Sequence, residues 1–399
     1  ILALTGDYPV DSKPVFDVDS LGLLQLAMAA NGRLIGQCDP EELDDVFRFT
    51  AGAGMNPYKY TLASAWQQYA KMLKKVTCGA EFIITQVGYD VVMSADLIRH
   101  ARTHDVKAAI FGNVYLLTKT AATKMHAGDL PGCYASDALL ATLGKEWRTS
   151  ARGREAALTR MAHQTALFEA QGYRGAHLGG WGLTYSDVAE VIDRAREIAD
   201  AGVDPDAMRE WCHFAPPGAE YFIGEDGEFM LPNDPPKPTR RQKRMEFFHD
   251  HVVDVDSRLG SAIKNAAAKD PKREGAKTRA LYGAERAAKA LLVECKDCGD
   301  CRLPENYFAL CNEAACAKGL PNLPCGDGDA LTGRCGNADQ PCAGELVFYA
   351  AFAQGKLGEL AEQVQSSKVP ELRGSSASFS CALNRSSGDS DLSRVWALN

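Results

Sequence analysis

Ala80-Glu81-Phe82-Ile83-Ile84-Thr85-Gln86-Val87-Gly88-Tyr89-Asp90 is the stretch on which the fold turns. Phe82 to Thr85 are apolar or β-branched and show no helical period, so they read as a strand buried on both faces, the kind found in parallel sheets. A segment rich in Lys and Leu, Leu62 to Thr77, reads as a helix leading into it. Thr85 and Gln86 then fall at the carboxyl end of the strand, where α/β barrels and open α/β sheets gather ligand-contacting groups.

Outward from this stretch, short apolar runs alternate with helical periods. Ile1-Leu2-Ala3-Leu4 reads as a strand running into the loop Thr5-Gly6-Asp7-Tyr8-Pro9, in which Asp7 either serves chemistry or caps backbone amides of a plain turn. Leu21 to Ala30 reads as a helix, and Phe47 to Ala53 as a strand entering Gly54-Met55-Asn56-Pro57-Tyr58. Ala95 to Thr103 is predicted helical, Lys107 to Leu117 a strand carrying Gly112-Asn113-Val114-Tyr115, and Arg154 to Gln171 a helix. Arg174 to Gly180 reads as a strand ending in a glycine loop, and Val188, Val191, Ile192, Ala195 and Ile198 follow helical spacing. The alternation predicts a parallel α/β domain of five strand–helix units between Ile1 and about Gly224. Glu225 to Pro238, rich in Pro, Gly and Asp, reads as a linker; Arg240 to Arg244 reads as a solvated helix face, and Ala280 to Leu292 as a helix. The Ser-rich tail from about Ser366 is expected to wrap an existing surface, and no internal repeat is evident.

A chain of 399 residues, 46 % hydrophobic and 24 % charged, has ample material for two or three domains. The net charge of −8 argues against nucleic acid as the main partner, because phosphate contacts need a basic face. No apolar run approaches the roughly 18 residues a membrane-spanning helix requires. These features point to a cytoplasmic protein. Thirteen cysteines are unevenly spread: Cys38, Cys78, Cys133, Cys212 and Cys381 read as ordinary buried thiols, whereas eight fall between Cys295 and Cys342. Such a cluster in a large chain of this kind points to metal rather than disulfides. Cys295, Cys298 and Cys301 make two overlapping Cys-x-x-Cys turns, followed by Cys311, Cys316, Cys325, Cys335 and Cys342. Three thiolates within a few residues suit three corners of an iron–sulfur cubane, while zinc more often takes two pairs. A [4Fe–4S] cluster is therefore favoured over zinc, with Cys295, Cys298, Cys301, Cys311, Cys316 and Cys325 as the expected ligands.

Several motifs together resemble the methylenetetrahydrofolate reductases, in the version fused to a cysteine-rich carboxyl-terminal module. Gly6-Asp7-Tyr8-Pro9 is similar to the family's Gly-Asp-Pro-Pro loop, with Tyr in place of the first Pro. Leu73-Lys74-Lys75-Val76-Thr77-Cys78-Gly79-Ala80-Glu81-Phe82-Ile83-Ile84-Thr85-Gln86, closed by Asp90, resembles its most characteristic segment. Gly172 to Gly180 is similar to a later strand of the same subgroup. Cys298 to Pro304, Cys316 to Leu320, Pro324-Cys325-Gly326 and Leu372 to Ser376 resemble the cysteine-rich module.

The resemblance implies a flavin-containing (β/α)8 TIM-type barrel followed by a small cysteine-rich metal-binding domain. The expected boundaries are 1–224 for the barrel, 225–285 for a linker and helical connection, and 286–399 for the module. The chain opens at what corresponds to the family's fourth strand, so the first strands and an early glutamate general acid are expected to precede it in the full protein. The implied reaction interconverts 5,10-methylenetetrahydrofolate and 5-methyltetrahydrofolate by hydride transfer through FAD or FMN. By the same resemblance Asp7 would act near flavin and pterin, stabilising a cationic intermediate, and Gln86 would hydrogen-bond folate. Gly6, Asp7, Asn56, Tyr58 and Lys75 would contact the flavin, Lys75 at a phosphate, and Gln86, Tyr115 and His177 would line the substrate site. His177 equally suits a hydrogen-bonded structural role. Electrons would come from a partner protein or from NAD(P)H, and an oligomer or complex is expected. The competing reading is a non-catalytic adaptor or electron-transfer subunit of a one-carbon assembly; another keeps the fold and exchanges folate for a different pterin carrier.

Overall fold

The computed structural model describes residues 1–9, 15–36, 48–248, 250–251, 257–258, 261–262, 265, 269, 275–298, 301, 303, 306–307, 310–365 and 367. The chain forms two compact units that interleave along the sequence: residues 1–3, 48–231 and 326–340 make the first, and residues 4–47, 232–325 and 341–399 the second.

The first unit is built on a parallel sheet of five strands in sequential order: β1 (Leu2–Ala3), β2 (Gly52–Met55), β3 (Phe82–Thr85), β4 (Ala109–Tyr115) and β5 (Gly175–Gly179). Strands that neighbour in sequence and pair in parallel through helical crossovers are compatible with a TIM-type fold. The expected strand at Phe47 to Ala53 is the shorter β2; Phe47 itself lies outside the described residues.

Helix α1 (Ser20–Gly36) belongs to the second unit. In the first, α2 (Leu62–Thr77) starts where the Thr61 side chain accepts from the Ser64 amide. Helix α3 (Val91–Thr103) starts four residues earlier than its apolar period implies, because Asp90 accepts from the Val92 and Met93 amides at 2.9 and 3.3 Å. Two short helices, α4 (Lys119–Ala127) and α5 (Asp137–Glu146), fill a stretch with no strong sequence period, each opened by a hydroxyl cap, Thr118 and Ser136. Helix α6 (Ser150–Gln171) ends at Gly172, whose φ of 99° a side chain would resist. Helix α7 (Tyr185–Ala201) opens with a capping box between Thr184 and Asp187, and α8 (Pro205–Cys212) with Asp204 ahead of a proline. The segment read as a linker begins with a hairpin bridge, Ile223 to Phe229, tied to α3 by Thr103 and His100.

Packing follows the alternation of the strands. In β4, Ile110, Gly112 and Val114 are buried against the helical layer, while Phe111, Asn113 and Tyr115 face the other way and are half-buried. Gly112 is needed there: a Cβ would lie 2.1 Å from the ring of Phe168 on α6. Likewise Gly52 leaves room for the ring of its register partner Phe82. Ala162, Ala166 and Leu167 of α6 close with Ala195 of α7 and Met208 and Cys212 of α8 into one apolar cluster. Arg160, 2 % exposed, is held between them by Glu146 at 2.6 and 3.1 Å, by the Trp211 carbonyl at 3.1 Å, and by the ring faces of Trp211 and Phe214.

The second unit contains α1, α9 (Arg240–Phe248), α10 (Ala276–Val293), α11 (Asn312–Ala315), α12 (Ala343–Ala353) and α13 (Leu357–Glu362). Asp19 caps α1 by accepting from the Leu21 and Gly22 amides, and Leu21 and Leu24 are fully buried. Asn322 and the backbone of Gln365 exchange two hydrogen bonds, at 2.8 and 2.7 Å. The predicted basic run is helical, as α9. Eight cysteines do not make a unit of their own. Those from Cys295 to Cys325, with Cys342, share the second unit with α1 and the Gly6–Asp7 loop, and Cys335 lies in the first. The Ser-rich tail after Ser367, including Leu372 to Ser376 and Cys381, lies outside the described residues.

Candidate functional site

On the sheet face opposite the helices, register and alternation place Phe82 and Ile84 of β3, Phe111, Asn113 and Tyr115 of β4, and His177 of β5 side by side. Gln86 continues the parity of Phe82 and Ile84 one step past β3. Glycines at 52, 54, 175 and 179 flank this row, so its margins carry no side chains. The result is an apolar floor, with the Phe82 and Phe111 rings edge to face at 6.3 Å, and a polar rim at the carboxyl ends of the strands.

Gln86, Tyr115 and His177 thus share one face by strand parity, and Tyr115, at the end of β4, also packs against the apolar cluster that includes Leu117, Leu139 and Leu143. The Gln86 carbonyl oxygen accepts from the Val87 amide at 2.9 Å, which orients the side chain; its amide nitrogen has no partner among the described residues. His177 meets Asn113 through Nδ1 and Oδ1 at 3.3 Å. Asn113, outside the predicted site set, is a rim residue that the strand alternation in Ala109–Tyr115 identifies. Thr85 turns the other way: it is buried, and its hydroxyl accepts from the Asn113 amide at 3.0 Å, joining β3 to β4 beyond their paired residues.

The residues expected to hold a flavin are differently engaged. The Asn56 amide nitrogen donates to the Gly132 carbonyl at 2.8 Å and to the Gly326 carbonyl at 3.2 Å, and its oxygen accepts from the Tyr58 amide at 3.1 Å. Tyr58 is buried with its ring beneath Gly88, where a Cβ would sit 2.1 Å from it. Lys75 is buried and donates to the Gly54 carbonyl. Lys59, which the sequence reading passed over, is 1 % exposed and donates to the Gly326 carbonyl at 2.9 Å and to that of Gly328. With the Tyr60 amide on the Ala330 carbonyl, these groups clamp a strap, Gly326–Gln340, over the loop that follows β2. The strap has structure of its own: Asp329 accepts from the Leu331 and Thr332 amides, and Asn337 donates to Asp327. It passes Gly132 so closely that a Cβ there would be 2.8 Å from the Gly326 carbonyl oxygen.

Asp90 gathers hydroxyls as well as amides. Tyr60 donates to it at 3.0 Å and Tyr221 at 3.3 Å, and His213 lies 3.4 Å away. Burial, followed by this carboxylate, pushes the Tyr60 phenol far above its ordinary range. The cluster fixes the start of α3 and serves structure.

Gly6 and Asp7 fall in the second unit. Both are exposed; the Gly6 carbonyl accepts from the buried Lys318 ammonium at 2.9 Å, and the Asp7 carboxylate makes no hydrogen bond among the described residues. In the same unit Lys296 donates to the Cys316 carbonyl at 2.7 Å, and the Asp297 amide donates to the Cys295 sulfur at 3.4 Å. The Cys311 thiol donates to Glu313 at 3.5 Å; burial first, then the Glu313 carboxylate and the Cys301 and Cys298 thiols, holds its pKa well above the ordinary thiol value. Cys311 also borders a cavity of about 400 Å3 lined by Met245, Leu292, Leu310, Ala314 and Leu346. The cysteines of the described residues are all free thiols, yet no three metal-ligating side chains among those residues are placed to hold one ion. No described helix is long and apolar enough to cross a membrane.

No curated protein matches the chain. One solved structure similar to it, with 14 % identity and a TM-score of 0.28, is an uncharacterized protein from Clostridium thermocellum that binds two copies of 5-methyl-5,6,7,8-tetrahydrofolic acid. The likeness covers 40 % of this chain and 56 % of that one. Residues 275–369, which span Cys295 to Cys342, match the family described as methylene-tetrahydrofolate reductase C terminal.

Proposed function

We propose that the chain serves methylenetetrahydrofolate reductase chemistry, binding a tetrahydrofolate derivative on the face formed by Gln86, Tyr115 and His177 while its carbon unit passes between the methylene and methyl levels. The observation that carries this reading is the family match of residues 275–369. The rim supports it: an amide, a phenol and an imidazole above an apolar floor are the donors and acceptors a pterin ring needs.

Hydride transfer at that carbon is the chemistry a bound flavin supplies. Of the residues first expected to hold one, three do not fit it: the Asn56 amide and the Lys75 ammonium are committed to carbonyls of the chain itself, and Tyr58 is covered. This favours a second reading, in which the chain is the folate-binding or electron-transfer subunit of an assembly and the flavin belongs to a partner. The thiol set of Cys295, Cys298, Cys301, Cys311, Cys316 and Cys325 has the chemistry for an iron–sulfur cluster or zinc, but no trio is assembled among the described residues.

Anaerobic purification followed by a visible spectrum, metal analysis and calorimetric titration with 5-methyltetrahydrofolate tests both readings. Folate binding without chain-bound flavin is expected. Absence of folate binding overturns the first reading, and stoichiometric flavin on the isolated chain overturns the second.

A further inference from the structure

We infer that Asn113 and His177 act as one hydrogen-bonding pair that reads the edge of a flat heteroaromatic ring laid on Phe82 and Phe111. The inference rests on the tetrahydrofolate reading above and adds the contact that would select the pterin.

The two residues are register partners on adjacent strands, and both face away from the helical layer. With the Asn113 oxygen 3.3 Å from Nδ1, the imidazole of a neutral His177 carries its proton on Nδ1. Nε2 is then an acceptor. The Asn113 side-chain nitrogen, Nδ2, has no partner among the described residues and is a donor. One donor and one acceptor on neighbouring strands suit a ring that presents both a carbonyl oxygen and an N–H, as a reduced pterin does. Asn113 is anchored through its backbone, whose N–H donates to the buried Thr85 hydroxyl at 3.0 Å, and Gly179 beyond His177 carries no side chain to crowd the imidazole. A structural pair would ordinarily be buried and satisfied; His177 is exposed, and each member keeps one polar atom unused.

Calorimetry with 5-methyltetrahydrofolate on wild type, Asn113→Ala, His177→Phe, the double variant and Gln86→Ala tests the pair. Each single change is expected to weaken binding about tenfold or more, the worth of one good polar contact. The double variant should be no weaker than the poorer single one, because the two act together. Nitrogen chemical shifts of His177 should show the Nδ1–H tautomer in wild type and its loss in Asn113→Ala, with circular dichroism unchanged. Wild-type affinity in Asn113→Ala and His177→Phe beside weakened Gln86→Ala overturns the pair and leaves the folate reading standing. Additive losses overturn the pairing. No binding by wild type removes both.

Discussion

Helix α3 carries two buried ionisable groups that oppose one another between pH 4 and 6. His100 is 4 % exposed, packed edge-on against Tyr69 and Phe229, and its Nδ1–H donates to the Gly227 carbonyl at 2.8 Å. Burial lowers its pKa from 6.5 to about 4. Asp96, 3 % exposed, is raised by burial from 3.8 to about 6 despite Arg99 at 2.7 Å. In the window from 6.5 down to 4 the unfolded chain takes up a proton at His100 that the fold refuses, so stability falls as pH falls. Between 6 and 3.8 the fold takes up a proton at Asp96 that the unfolded chain refuses, so stability rises as pH falls and is lost again as pH rises through 6. At about 1.36 kcal/mol per pH unit, each effect is worth roughly 3 kcal/mol, and they nearly cancel. Asp96→Asn keeps the oxygen that accepts from Arg99 and removes the titration, and Arg99 is exposed enough to stay solvated. Urea unfolding followed by circular dichroism at half-unit steps from pH 7 to 4 is the assay. The variant should exceed wild type by about 3 kcal/mol at pH 7 and lose that advantage by pH 4. A difference that does not change with pH would refute the assignment of Asp96 as a proton acceptor in the fold.

Two further outcomes test the framework around the site. Lys59→Met should expose Gly326–Gln340 to protease and cost about 1.5–3 kcal/mol, the worth of charge-assisted hydrogen bonds to two carbonyls; an unchanged cleavage pattern would mean that the strap is held elsewhere. Glu146→Gln leaves the Arg160 charge buried without its partner and should cost about 3 kcal/mol or more, whereas Glu146→Leu combined with Arg160→Met should be far milder. Equal losses in the two variants, measured by urea unfolding, would refute the pairing argument.

Local chemistry made much of the first unit legible. Phe82 to Thr85 and Leu62 to Thr77 have the limits expected from their patterns, because one is a pure β-branched and aromatic run and the other a strongly amphipathic helix with a threonine cap. Helices α4 and α5 escaped because each buries only two residues on its core face, Ala122 and Met125 in one, Leu139 and Leu143 in the other, too few to set a period. Gln86, Tyr115 and His177 could be read as a group from strand ends alone. Asn113 could have joined them by parity. What no local pattern could reveal is that Asn56 and Lys59 reach carbonyls 267 to 270 residues away, in a strap that the sequence places within the cysteine run. The division into units was hidden for the same reason: the Gly6–Asp7 loop joins the cysteines through Lys318, a contact spanning 312 residues.

The strap also bears on how this protein can drift. Asn56, Lys59 and the Tyr60 amide all grip main-chain oxygens, of Gly326, Gly328 and Ala330. A grip of that kind is indifferent to the side chains of what it holds. Over evolutionary time the outward positions of the strap are free to change, while the gripping residues, and the glycines at 132 and 326 that need positive φ, are not. Relatives should therefore show two neighbouring segments evolving at very different speeds, the slow one in the loop after β2 and the fast one lying across it.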